Sequence, residues 1–449
     1  MARIAQKLLK LSRRPEARHV GILTSGSVAA QVALVVTAPL LSRLFSPAAF
    51  GVFSLMLTIS TIGGAIGGLC YEVAVVLPRS RRIAAALYWL AFYLSFLTPI
   101  AIIGLVALVQ HMFPHIFGRL LPADFYYYCF AGTTLTTLVN VLSYAHSRMA
   151  QYTAVSISKF SQTVLPAIAQ VGLAYIGMGG EGLLLGRVLG MGGSVLWLSH
   201  KLPPGFRLRD FSNSPPASLF VAARRYRDFL LQVPRQLLVR GATMLPAALI
   251  LGSYGATAAG LYFFAARLIE RPGMLLGDSL TRVPMRQFAA RVQERKKLTR
   301  MALLYTAVMG APVIGGVVLL ALIAHPLFRI VFGLRWEGAA DYAVILAWWA
   351  AVRLTSLPMA TLTTVLRVQK LSFYVDALFA LRVIIIPILA HHHVSALGAV
   401  SAFCGLSIVY HLIIVSVGIW AAMRYDRALA PARSSPERFT PIPTGETYG

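Results

Sequence analysis

The chain has 449 residues, 57% of them hydrophobic and only 12% charged, about half the charged share of an ordinary soluble domain. That balance excludes a soluble enzyme, and long hydrophobic stretches recur from Val20 to Met423, so the chain reads as an all-α polytopic membrane protein. The 41 Lys and Arg against 15 Asp and Glu give a formal net charge of +26. A soluble chain so basic would suggest nucleic acid; here the excess belongs to cytoplasmic loops, and no nucleic-acid partner is expected.

In chain order, residues 1–19 set Ile4, Leu8, Leu9 and Leu11 among Lys7, Lys10, Arg13 and Arg14, a cytoplasmic basic amphipathic segment suited to the inner leaflet surface. The apolar run that follows is too long for a removable signal peptide and reads as the first span. Twelve spans are predicted. Six lie at 20–44, 50–76, 83–109, 121–145, 160–177 and 182–199, and six more at 229–251, 254–278, 301–324, 342–366, 371–390 and 395–422. With the N-terminus inside, the segments on that side hold 30 of the Lys and Arg, and the opposite loops hold only Arg119, Arg329 and Arg335. This asymmetry places both termini in the cytoplasm. The outer loops are short, which excludes a folded outer domain.

The stretch 200–228 carries Pro203, Pro204, Gly205, Pro215 and Pro216 with six basic residues. It reads as a cytoplasmic linker between a six-helix lobe at 20–199 and a second at 229–422, with a cytoplasmic tail at 423–449. An internal duplication supports this division. FSPAAFGVFSLM from Phe45 is echoed by YGATAAGLYFFA from Tyr254, so that Phe45, Gly51 and Phe53 match Tyr254, Gly260 and Tyr262 at a constant offset. RSRR at 79–82 matches ERKK at 294–297, and ADF at 123–125 matches ADY at 340–342, in the same order. Two lobes of six spans share one orientation and relate by an axis along the membrane normal, as parallel transporter repeats do. A central cavity that opens alternately to either side is the expected device.

YEVAVVLP (71–78), LSRLFSPAAFGVFSL (41–55), YGATAAGLYFFAARLIERPGMLLGDSL (254–280) and VFGLRWEGAADYA (331–343) resemble the signatures of bacterial polysaccharide flippases. These belong to the multidrug/oligosaccharidyl-lipid/polysaccharide exporter superfamily. The resemblance covers most of residues 20–424. It implies two six-helix lobes around a central cavity and a bacterial inner-membrane location. It further implies movement of an undecaprenyl-diphosphate-linked oligosaccharide to the outer leaflet for O-antigen or exopolysaccharide assembly. The implied partners are that lipid-linked oligosaccharide, membrane lipids, and a polysaccharide polymerase with its chain-length regulator.

Charges inside the spans are the candidate site. An Arg near the bilayer centre costs roughly 2.5 to 3.5 kcal/mol on insertion scales, so it faces a protein interior or a watery cavity. Arg43, Arg187, Arg235, Arg240, Arg267, Arg271, Arg353 and Arg382 share the spans with Glu72, Glu270, Asp278 and Asp376, and Asp124 lies at an outer edge. Arg43 and Arg235 lie near span ends, where a long side chain can snorkel to an interface. Arg267, Glu270, Arg271 and Asp278 fall on one narrow helical stripe, which reads either as a cavity wall or as an internal network of ion pairs. Asp376 lies near Arg382, which favours a structural pair there.

The resemblance places the first, second, seventh, eighth and tenth helices at the cavity, which favours Arg43, Arg240, Arg267, Arg271 and Arg353 as substrate ligands. Guanidinium forks suit a diphosphate. Glu72 or Asp278 are the candidates for ion coupling, with salt bridging as the plainer role.

Cys70, Cys129 and Cys404 are scattered and give no disulfide or metal framework. His391, His392 and His393, and the pair His111 and His115, lack accompanying carboxylates or cysteines, so no metal is expected. No phosphate-binding loop is present, so ATP hydrolysis and any cofactor are not expected. An ion-coupled drug exporter of the same superfamily, a peptidoglycan-precursor flippase and, further off, a membrane glycan polymerase stay open as alternatives. Net Arg-rich walls argue against a cation exporter, and the short outer loops argue against a polymerase.

Overall fold

The computed structural model describes residues 15–112, 124–202, 206–207, 216–366, 368, 379 and 381–432. The amphipathic pattern over Ile4 to Arg14, His115, Asp376 and nearly half of the predicted span 371–390 fall outside these residues. The described chain is helical throughout, without a strand.

Fourteen helices are described: α1 (Pro15–Leu44), α2 (Pro47–Ile66), α3 (Tyr71–Ala74), α4 (Arg81–Met112), α5 (Phe125–Arg148), α6 (Tyr152–Tyr175), α7 (Glu181–His200), α8 (Pro216–Arg225), α9 (Gln232–Tyr254), α10 (Ala256–Gln293), α11 (Thr299–Phe332), α12 (Ala339–Val365), α13 (Ile385–His391) and α14 (Ala396–Ala432). Eight of the described helical segments are long and apolar enough to cross a membrane. Helices α5, α6 and α10 occupy predicted spans but are too polar for that test. In α5 some hydroxyls satisfy themselves on the helix's own carbonyls, as Thr136 Oγ1 does on Gly132 O at 2.7 Å and Thr137 Oγ1 on Thr133 O at 2.9 Å.

The second span departs from its predicted bounds. Helix α2 ends at Ile66, Leu69 and Cys70 adopt positive φ of 50° and 60°, and the chain restarts as the single turn α3. Glu72 therefore sits beyond a break rather than within a continuous span of 50–76. The run GGAIGGLC (63–70) reads as a close-packing surface, and the same glycine-rich sequence also lets the helix stop.

Two compact units divide the described chain. One comprises residues up to Leu275 with Leu320–Leu346 and Ala380–Phe403, and the other Leu276–Leu319, Ala347–Phe379 and the segment from Cys404 onward. In the first unit α6 packs against α7 and α1, α2 against α5 and α9, and α4 against α5.

Two features of this unit grow directly from the sequence echoes. A Cβ placed on Gly51 would run into the backbone of Ala256, and a Cβ on Gly260 would run into the carbonyl of Pro47. At the offset that aligns Gly51 with Gly260, Pro47 aligns with Ala256. The contact is thus reciprocal, the signature of a local two-fold relation between the first turns of α2 and α10. Beside it, Trp336 is fully buried. Its ring lies 4.2 Å from that of Phe264 and 5.1 Å from that of Phe50, and its Nε1–H donates to Ser42 O at 2.7 Å. The motifs around Phe45, Tyr254 and Val331 therefore meet in one aromatic cluster.

The second unit has its own core of Phe288, Leu298, Ala302, Met359, Leu362 and Ala422. Here the Asp426 carboxylate accepts from Leu298 N at 2.8 Å and Thr299 N at 3.2 Å. It caps the start of α11 from the far end of α14, satisfying amides that the helix itself leaves unbonded. Asp426→Ala is expected to cost about 1 kcal/mol, within the range for a lost cap. A lowered melting temperature of the detergent-solubilised protein, with export intact, checks this.

Candidate functional site

The intramembrane charges separate by surroundings. Arg43 occupies the last turn of α1 and is exposed. Its neighbour Ser42 does the structural work there, donating to Phe332 O at 3.2 Å and accepting from Trp336. Arg235 and Arg240 on α9 are also exposed. Arg187 donates to Gln162 O at 3.1 Å, which ties α7 to α6. Arg382 lies on a short 3-10 turn, Leu381–Ile384, with its guanidinium 5.5 Å from the Phe403 ring. Both have packing roles.

Within the first unit the structure brings three predicted or neighbouring groups together. Tyr144 of α5 feels the charge of Glu72 on one side and of Arg240 on the other. Glu72 is 3% exposed, and its Oε2 has no hydrogen-bond partner among the described residues. That oxygen occupies the space a side chain on Gly68 would need, so the glycine before the break admits the carboxyl. Arg240 is exposed and Glu72 is buried, and both act electrostatically on Tyr144. Further along the same face of α5, Asn140 Nδ2 donates to Gly64 O at 3.0 Å.

Sequence reasoning overlooked Tyr144 because it carries no charge. A signal existed: Thr133, Thr136, Thr137, Asn140 and Tyr144 recur at helical spacing in an otherwise apolar run.

Helix α10 is continuous through Pro272. Arg267 and Glu270 are half-buried, and both are engaged with neighbours. The side chains of Arg271 and Asp278 lie outside the described set.

In the second unit, Arg353 is half-buried near the middle of α12, its guanidinium 5.9 Å from the Trp349 ring one turn earlier. The carbonyl of Arg353 accepts from Ser356 Oγ at 2.7 Å, and that hydroxyl lies 3.0 Å from His411 Nδ1 on α14. Because the hydroxyl proton goes to the carbonyl, His411 must donate to Ser356. The arrangement fixes the backbone beneath Arg353.

No curated protein matches this chain. Among solved structures it is similar to the lipid II flippase MurJ in an inward closed conformation, with TM-score 0.61 and 10% identity over 94% of each chain. It is also similar to a multidrug resistance MATE family transporter of the MOP superfamily. The inward-facing conformation gives TM-score 0.53 and 15% identity over 91% of this chain and 95% of the other. The outward-facing one gives 0.52 and 16% over 94% and 98%. At such identities the likeness establishes the fold alone, that of a helical polytopic membrane protein. The polysaccharide biosynthesis protein family is matched over residues 40–341, more than half of the chain, and the chain belongs to that family.

Proposed function

We propose that this protein flips undecaprenyl-diphosphate-linked oligosaccharide units across the bacterial inner membrane by alternating access, supplying O-antigen or exopolysaccharide assembly. The observation that carries the proposal is the presence of half-buried Arg267 and Arg353 on long helices that occupy predicted spans, in a chain whose family is one of polysaccharide biosynthesis. Positive charge held inside a membrane protein is costly unless it serves a cavity. A lipid diphosphate supplies the matching anion. The polyprenyl tail needs no site because it stays in lipid.

The lobes at 20–199 and 229–422 would rock about the two-fold relation that Gly51 and Gly260 express locally. Arg43, Arg240 and Arg271 complete the proposed ligand set. Glu72, buried and with a carboxyl oxygen that no described residue bonds, is the leading candidate for ion coupling, ahead of Asp278. Such buried carboxyls mark proton relays in pumps. The proposed setting is the inner membrane with both termini cytoplasmic, alongside a polymerase and a chain-length regulator.

A peptidoglycan-precursor flippase is the second reading, favoured by the likeness to the lipid II flippase. Deleting the gene in its native host separates the two. The proposal expects loss of surface polysaccharide, accumulation of lipid-linked oligosaccharide and normal cell-wall synthesis. Lysis with accumulated cell-wall precursor would establish the second reading instead.

A further inference from the structure

The described parts of segment 200–228, expected as a connecting linker, pack within the first unit. Phe206 is 1% exposed, with its ring 5.2 Å from that of Tyr88. Helix α8 packs on α4, and Tyr71 Oη donates to Ala223 O at 3.3 Å. Leu219, Ala222, Ala223 and Tyr226 join the core formed with Tyr71, Trp89 and Leu142. The opposite face of α8 is not polar. Phe220 and Val221 are 70% and 63% exposed, Leu231 of the following 3-10 turn is 77% exposed, and Arg224, Arg225 and Arg227 are exposed among them.

This basic, apolar face continues onto the neighbouring helix ends. Arg81 and Arg82 open α4 and are exposed. Arg148 closes α5, donates to Val75 O at 2.9 Å, and lies close enough to Arg81 and Tyr226 to feel both. Burial first, and the charge of Arg81 second, hold its guanidinium below the ordinary value. None of these six Arg is in an ion pair with a described residue. Asp210 and Asp228 are the acids of segment 200–228.

A rigidly docked short helix that exposes Phe and Val between guanidinium groups, on the side that carries the chain's positive charge, has the chemistry of the inner-leaflet interface. Apolar side chains there reach the acyl boundary, and the cations meet phosphate. We propose that α8 and the adjoining ends of α4 and α5 form a docking surface for anionic phospholipid of the inner leaflet. Phe220 and Val221 insert into the bilayer, and Arg224, Arg225 and Arg227 hold the headgroups. This surface is independent of the cargo and of the half-buried Arg residues.

The test uses the full chain in nanodiscs of equimolar phosphatidylglycerol and phosphatidylcholine, with the lipids retained after mild extraction counted by mass spectrometry. Phosphatidylglycerol should be enriched, and the enrichment should fall as salt rises. The triple change R224Q/R225Q/R227Q should reduce it roughly fivefold or more, and the corresponding Lys triple should keep most of it. Unchanged enrichment in the Gln triple overturns the proposal.

A second readout leaves the Arg residues in place. A fluorophore on Phe220→Cys should be quenched by brominated lipid and shielded from aqueous iodide. Quenching by iodide alone overturns the proposal, because the face would then meet water or another protein.

Discussion

Glycan export is expected to cease in Arg267→Ala and in Arg353→Ala while each protein stays inserted and abundant. Both guanidinium groups are half-buried on membrane helices, where charge attraction for a diphosphate outlasts the loss of any one hydrogen bond. Lys keeps the charge but loses the bidentate fork, so Arg→Lys should restore part of the activity. Surface polysaccharide in a deletion strain, read beside immunoblots of the membrane fraction, measures both quantities.

The competing role predicts a different pattern. Should Arg267 be locked to Glu270 or Asp278, its removal would strand a buried carboxylate, cost about 3–5 kcal/mol and lower protein abundance. Neutralising Arg267 and its acid together would then restore abundance and export. That restoration would remove Arg267 from the ligand set.

Gly51→Ala and Gly260→Ala are expected to impair export at least tenfold each, an effect out of proportion to one methyl group. Each new Cβ meets backbone rather than a movable side chain, so the cost sits at or above the upper end of the roughly 1–3 kcal/mol seen for overpacking. The reciprocal geometry adds a sharper expectation. Once the first methyl has pushed the turns of α2 and α10 apart, the second finds room, so the double variant should be little worse than either single one. Such non-additivity identifies residues that share one contact. Additive losses, or neutral single variants, would contradict the two-fold contact as a working element of transport.

The fold was legible in the sequence where hydropathy and helix coincide. It was less so where they part. Helix α10 runs on to Gln293, past the predicted 278, because Arg282, Arg286 and Arg291 are good helix formers although poor membrane residues. Helix α6 begins at Tyr152 rather than 160. Its early polar positions turn inward, and Ser158 is fully buried while accepting from Gln162 Nε2 at 3.0 Å. A hydropathy window counts such serines as loop.

The site was legible only in part, for a related reason. Charge flags Arg267 and Arg353 in an apolar run. Exposure is a property of packing, and it divides Arg43 and Arg240 from Arg267 and Arg353. Tyr144 becomes visible only when the break after Ile66 swings Glu72 beside it. The motifs behind the family resemblance turn out to build the aromatic cluster around Trp336 and the glycine contact. They specify architecture, and the proposed cargo ligand Arg267 lies within one of them, the motif at 254–280.

Purified protein in sealed vesicles, loaded with an undecaprenyl-diphosphate-linked oligosaccharide on one leaflet, tests the central claim most directly. The readout is access of that glycan to an impermeant glycosidase on the other side. The account predicts protein-dependent appearance of the glycan there, lost in Arg267→Ala and Arg353→Ala and slower when lipid II replaces the oligosaccharide lipid. Failure to move either lipid, in vesicles where the same protein expels a cationic dye, would contradict it.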